Sequence, residues 1–243
     1  MTAGAALEAR GVRREFGGGA GVHGVDLRVE PGEIHALVGL NGAGKTTLMR
    51  LLLGMLRPDD GEVLLGGVPL PEVAARAWAG VGHLVETPPT YPELTARANL
   101  ELAARLHAVP RRAVSATVAA VLDELGLDRY ASVRARRLSL GNRQRVGLAA
   151  ALQHSPGVVV LDEPGNGLDP SGVLLLRSAL RRRADAGAGI LVSSHHLDEV
   201  ARVADRISVM NAGRIIGAMA PGGHDPERAF FELVLADDAE RAS

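Results

Sequence analysis

The stretch "LVGLNGAGKTTLMR", residues 37–50, holds Lys45, the only lysine among 243 residues. Every other basic side chain, histidine apart, is arginine. Arginine presents a wide planar fork, whereas lysine presents a compact ammonium on a flexible stem. The surrounding pattern explains the choice. Gly39-Leu-Asn41-Gly42-Ala-Gly44-Lys45-Thr46 fits G-x-x-x-x-G-K-[ST], with Thr47 following. Glycines let successive backbone N–H groups turn inward toward phosphate oxygens, and a following helix adds the positive end of its dipole. Lys45 then reaches the β- and γ-phosphates and the Thr46 hydroxyl ligates Mg²⁺. In a chain of this composition the chance expectation of such a match is roughly one in a thousand. The flanks agree: an apolar run precedes the loop, and Leu48, Leu51, Leu52 and Met55 recur at helical spacing after it. A compact ammonium fits between two phosphates in a crowded loop where a guanidinium does not.

Composition narrows the remaining possibilities. Hydrophobic residues make up 47% and charged residues 23%, as in ordinary globular proteins. Aromatics are only 2%, so the core is built from Ala, Val, Leu and Ile. With no cysteine there is no disulfide framework and no thiolate metal site, which fits a reducing cytoplasm. A net charge of −1 gives no global basic field for nucleic acid. The arginine runs Arg134–Arg137 and Arg181–Arg183 read as solvated helix faces or ends. No apolar run is long enough to span a bilayer, and the N-terminus lacks the basic-then-apolar layout of a secretory signal. The expectation is a soluble chain whose membrane role, if it has one, comes through a partner.

Strand patterns bounded by Gly and Pro cover 7–16, 23–30, 33–39 and 62–67. Residues 93–154 form a helical block, after which strand signals return at 157–164, 189–195 and 206–213. A helix is expected between the first two of these, over 171–187. This order predicts an α/β nucleotide-binding core, residues 1–87 and 155–220, interrupted by a helical subdomain over 88–154. Residues 221–243 read as a loop, a short helix and a frayed acidic tail.

A magnesium site needs an acidic anchor, and hydrolysis needs a group that orients water. "GVVVLDEP", 157–164, supplies both at the end of an apolar run: Asp162 for the ion and Glu163 for the attacking water. At this point the chain resembles the ATP-binding subunits of ABC transporters over nearly its whole length. "LSLGNRQRV", 138–146, looks like the family signature, with Ser139 and Gly141 matching and Leu140 and Asn142 departing. "GLDP", 167–170, resembles the D-loop with Asp169, and "LVSSHHLDEV", 191–200, the switch-histidine segment with His195. Phe16, in "REFGG", stands where the family stacks an aromatic on adenine. In "VGHLVETPPTYPELTARANL", 81–100, Glu86 occupies the place of a magnesium-ligating Gln. That departure resembles the bacterial drug and peptide-antibiotic exporters, including bacitracin- and lantibiotic-type systems.

The resemblance implies a single ABC ATP-binding domain with the P-loop NTPase fold: a RecA-like core, an N-terminal antiparallel β subdomain and an inserted α-helical subdomain. It implies ATP and Mg²⁺ as ligands and hydrolysis by Glu163 and His195. It also implies a homodimer, or a heterodimer with a second ATP-binding subunit, in which Ser139 and Gly141 of one chain meet the γ-phosphate held by the other. A separate membrane permease would carry the substrate outward, leaving the ATPase cytoplasmic and peripheral on the inner face of the cell membrane. Nucleic acid is not expected. A P-loop GTPase is excluded because its Asn-Lys-x-Asp guanine reader needs a second lysine. A soluble ABC ATPase with a regulatory role is the alternative.

Overall fold

The pentapeptide Ile34–Val38 is buried along its whole length, as a strand enclosed on both faces requires. The computed structural model describes residues 4–88, 90–195, 202–223 and 225–242, and the chain divides into two compact units. The first combines residues 1–73 with 189–243; the second is residues 74–188.

In the first unit, strands β1 (Leu7–Glu15), β2 (Gly21–Val29), β4 (Asp60–Leu65) and β5 (Val68–Pro69) form an antiparallel sheet in the order β2-β1-β4-β5. Strand β3 (Ile34–Val38) lies parallel to both β8 (Gly189–Ser194) and β9 (Arg206–Asn211), and β10 (Arg214–Met219) closes antiparallel on β9. Helix α1 (Lys45–Leu52) buries Leu48, Met49, Leu51 and Leu52 and touches β1, β2 and β4. The tail departs from expectation. Helix α6 (Pro226–Ala242) is long and lies against β9 and β10, with Phe230 and Val234 buried. Its acidic end is anchored: Asn211 Nδ2 donates to Asp237 Oδ2 at 2.8 Å and Asp238 Oδ1 at 2.9 Å. A charged sequence signals fraying only until a partner from another element is known.

In the second unit, β6 (Val81–Leu84) and β7 (Val158–Leu161) run parallel, with Leu84 opposite Leu161. The helical block resolves into α2 (Ala96–Leu106), α3 (Val114–Glu124) and α4 (Leu140–Leu152), followed by α5 (Pro170–Asp185). Thr95 caps α2 by accepting from the Ala98 N–H at 3.1 Å, as Thr at an N-cap does. Buried Asn99 braces the preceding loop, accepting from the Tyr91 N–H at 2.7 Å and donating to the Thr95 carbonyl at 3.0 Å. The arginine run of α5 serves packing. Arg183 meets Glu124 of α3 with both Nη atoms, at 2.6 and 2.9 Å, and Arg182 adds a contact at 2.6 Å.

One buried histidine gives the first unit an acid sensitivity. His35, 2% exposed, has Nδ1 3.0 Å from the Arg28 carbonyl oxygen and Nε2 2.8 Å from Ser208 Oγ. Burial, then the nearby Arg206 charge, pushes its pKa down from 6.5 to about 4. The folded state therefore binds fewer protons than the unfolded one between these values. The stabilisation is complete above pH 6.5 and is lost as pH falls toward 4, by about 3 kcal/mol. Denaturant titrations from pH 7 to 4.5 are expected to show this decline. His35→Gln, which keeps hydrogen-bonding capacity without titrating, is expected to reduce proton uptake on unfolding at pH 5 by about one.

Candidate functional site

Strand β3 stops at Val38 and the chain wraps into the loop that precedes α1. Two glycines there are fixed by close approach. A Cβ on Gly39 would sit 2.4 Å from the Met210 carbonyl oxygen. Gly44, at φ 106°, would bring one to 2.9 Å from Met210 Cε and 3.1 Å from the Gly21 carbonyl oxygen. Lys45 is only 6% exposed; its Nζ folds back across the loop and donates to the Gly39 carbonyl at 2.7 Å and to that of Leu40 at 3.3 Å. Gly44 is the N-cap of α1 and makes no side-chain cap. First-turn N–H groups of an α-helix lack intrahelical partners, and an anion complements them. Asn41 and Gly42 are exposed at the turn, and Thr46 and Thr47 are half-buried on the first turn of α1. A glycine loop held open by backbone contacts, with an ammonium drawn over it, suits a polyphosphate.

The other expected residues of this unit lie around the same strand ends. Val38 pairs with Ser194, so Gly39 and exposed His195 are the next residues out of two adjacent parallel strands. The rest of the switch-histidine segment, residues 196–200, lies outside the described residues. Phe16 follows β1, is 42% exposed, and has the Arg14 guanidinium carbon 5.4 Å from its ring centre.

In the second unit the carboxylates leave two paired strands in step. Asp162, 8% exposed, continues the β7 ladder by donating its N–H to the Leu84 carbonyl at 2.8 Å. Two residues beyond the Leu84–Leu161 pair stand Glu86, at φ 70°, and Glu163, at φ 47°. Left-handed backbone is uncommon for non-glycine residues and persists where the surroundings enforce it, often at functional positions. Glu86 and Glu163 therefore carry a conformational signature that their side-chain types do not advertise.

Ser139 and Asp169 are both helix N-caps. Ser139 Oγ accepts from the Asn142 N–H at 3.2 Å at the start of α4. Asp169 Oδ1 accepts from the Gly172 N–H at 3.1 Å at the start of α5, and Ser171 Oγ donates to Oδ2 at 2.8 Å. The Ser171 bond chiefly, with the Gly172 amide and Arg145, holds the Asp169 carboxyl below its ordinary pKa. Gly141 rests on the turn before α5: a Cβ there would lie 2.4 Å from the Gly167 carbonyl oxygen. Gln144 and Arg145, one helical turn further along α4, also reach that turn. No expectation from sequence attached to them, because their partners are about 20 residues away in the chain.

Comparison with known proteins agrees with this geometry. Residues 22–166 match the family described as ABC transporter. The bacitracin transport ATP-binding protein of Enterococcus faecalis is 38% identical over 234 residues, covering 95% of this chain and 75% of that protein. The Nod factor export ATP-binding protein I of Rhizobium etli is 36% identical over 220 residues, covering 90% of this chain and 69% of that protein. A solved ATP-binding subunit of an ABC transporter superposes with a TM-score of 0.81 at 29% identity, covering 98% of this chain and 99% of that one. The chain belongs to the ABC transporter family, has its P-loop α/β fold, and is an ATP-binding subunit that hydrolyses ATP.

Proposed function

We propose that this subunit powers export of a drug, peptide antibiotic or similar substrate through a separate membrane permease. The observation that carries the ATP-driven part is Lys45, buried and bonded across the Gly39 loop. Export is supported by the similarity to the bacitracin and Nod factor proteins and by Glu86 in place of the family's Gln. No described helix is long and apolar enough to cross a membrane.

Thr46, Asp162 and Glu86 are the residues proposed to hold Mg²⁺. They offer hard oxygen donors of the type this ion takes. Among the described residues no group of three His, Cys, Asp or Glu side chains is arranged to hold a metal. Mg²⁺ keeps several waters and binds through one or two carboxylates plus substrate phosphates. When bound, it would offset charge on the β- and γ-phosphate oxygens.

The remaining roles fall to this chain's own groups. The amides of Gly39, Asn41, Gly42 and Gly44 and those at the start of α1 cradle the phosphates, and Lys45 neutralises the charge that builds there. Thr47 adds a polar contact, and Phe16 stacks on the adenine. Glu163 orients the attacking water and accepts its proton, and His195 contacts the γ-phosphate. Two copies pack head to tail, homodimer or heterodimer, so that Ser139 and Gly141 of one close on the γ-phosphate of the other, with Asp169 at the seam. Closure stores the binding energy; hydrolysis releases it and the pair reopens.

Three variants test these assignments. Lys45→Ala is expected to lower ATPase activity by roughly a hundredfold or more, as loss of a preorganised donor does. The same variant is expected to co-purify from membranes with a polytopic permease; recovery without any membrane protein would remove the transport assignment. Glu163→Gln is expected to cut turnover by about 10²–10⁴ and to accumulate a nucleotide-bound dimer by size-exclusion chromatography. Glu86→Gln is expected to change the Mg²⁺ concentration giving half-maximal ATPase activity, since one negative charge beside the triphosphate disappears. An unaltered Mg²⁺ titration and transport rate would sever Glu86 from the ion.

A further inference from the structure

The turn that closes β9 onto β10 is wedged between the phosphate loop and the strand beside Phe16. Ala212 and Gly213 form this turn, both with left-handed backbone at φ 40° and 78°, as two-residue hairpin loops favour. The Gly213 N–H donates to the Ala43 carbonyl of the phosphate loop at 2.9 Å. The Gly213 carbonyl in turn accepts from the His23 N–H of β2 at 2.8 Å. A Cβ on Gly213 would lie 2.5 Å from the Gly21 oxygen and 2.6 Å from His23 Cδ2. The path from the phosphate loop to His23 is therefore two backbone hydrogen bonds with no side chain between them.

The His23 ring carries that path onward. Its Nε2 is 3.1 Å from the Gly19 carbonyl oxygen, and since that oxygen only accepts, Nε2 is the donor. Its Nδ1 lies 3.6 Å from Glu15 Oε1, an oxygen that Arg13 Nη2 also holds at 2.5 Å. Glu15 and Gly19 flank Phe16 in the chain, and the Phe16 N–H closes the loop by donating to the Ala20 carbonyl at 2.8 Å. Gly17, Gly18 and Gly19 lie in open space: a Cβ on any of them would meet nothing within 4 Å. Glycine loses more conformational freedom on ordering than any other residue, so an unpacked glycine triplet needs an outside hold to keep one shape. On the β1 side the segment is tied by Asp59, which accepts from the Glu15 N–H at 2.8 Å. On the glycine side the tie is His23.

We infer that His23 is a positioning residue for the nucleotide base: through Gly19 it keeps Phe16 at a fixed place relative to the phosphate loop. The ligand this favours is a nucleotide, whose base and phosphates are covalently joined, over a bare polyphosphate. The inference rests on the proposed stacking of Phe16 on adenine and adds what holds that ring in register with the phosphates. The hold acts equally on bound ATP and on its transition state, so it falls on KM rather than on kcat.

The test is steady-state MgATP hydrolysis by the purified full chain, with inorganic tripolyphosphate, which carries no base, as a competitive inhibitor. His23→Ala is expected to raise KM for ATP about three- to tenfold, the effect of losing one positioning hydrogen bond. In the same variant kcat and the Ki for tripolyphosphate should stay within about twofold of the parent. His23→Gln, whose amide donates to the same carbonyl, is expected to recover most of the lost affinity. An unchanged KM in His23→Ala would overturn the inference. So would equal weakening of ATP and tripolyphosphate, which marks damage to the phosphate loop itself. Should His23→Ala fail to fold, His23→Leu, which fills the space without a donor, is read against the same limits. Phe16→Ala separates the two levels. If it raises KM while His23→Ala does not, the positioning role alone falls; if it leaves KM unaltered, the stacking assignment falls and the inference with it. Added to Phe16→Ala, His23→Ala is expected to raise KM by less than about twofold more, since His23 acts through that ring. A full further increase would overturn the linkage.

Discussion

The contact between Gly39 and the Met210 carbonyl is the constraint from which the first unit's chemistry follows. It forbids a side chain at Gly39 and fixes where the chain leaves β3. With the exit fixed, the loop returns at Gly44, pressed in turn on Gly21 and Met210, and α1 starts at Lys45. The ammonium lies back over the Gly39 carbonyl. At Gly39 on Met210 and at Gly44 on Gly21 the cradle's shape is thus set by backbone meeting backbone. Such contacts tolerate far less adjustment than side-chain packing, because no rotamer can relieve them.

The second unit solves a different problem, the aiming of carboxylates at strand ends. Strands β6 and β7 are short and buried, and their pairing holds Asp162 in line with the ladder. Glu86 and Glu163 each turn out through left-handed backbone at equivalent positions. The chain accepts this strain because the elements on either side fix the turn. For Glu163 those are β7 before it and the α4-braced segment through Asp169 after it. Strain of this kind, roughly 1–3 kcal/mol per residue, orients a side chain more sharply than an unstrained loop would.

Helix caps and ion pairs divide the labour between local and distant order. Thr95, Ser139 and Asp169 cap helices with partners three residues away, an arrangement set by neighbouring sequence. Glu124 with Arg182 and Arg183, Asn211 with Asp237 and Asp238, and Arg145 with Asp169 join elements far apart in the chain. The first group starts elements; the second ties distant elements to one another.

The amino-acid sequence determined the phosphate loop, the helix after it, the apolar run ending in Asp162 and Glu163, and the alternation of strands with a helical block. Each of these is a local pattern whose meaning is contained within about ten residues. Strands β6 and β10 carry no such local pattern. Gly82 in β6 packs against α4, its Cβ position 2.0 Å from the Ala151 oxygen, and Gly217 in β10 packs against Leu233. In neither case does alternation mark the strand, because a partner element rather than side-chain pattern makes it one. The tail helix departs from its sequence pattern for the same reason, since its anchoring Asn211 comes from β9. Tertiary structure alone decided the parallel register that sets Gly39 beside His195, the left-handed turns at Glu86 and Glu163, and the hold of Arg145 on Asp169. Register, backbone handedness and long-range ion pairing depend on groups remote in the chain, and a one-dimensional pattern carries no distance between them.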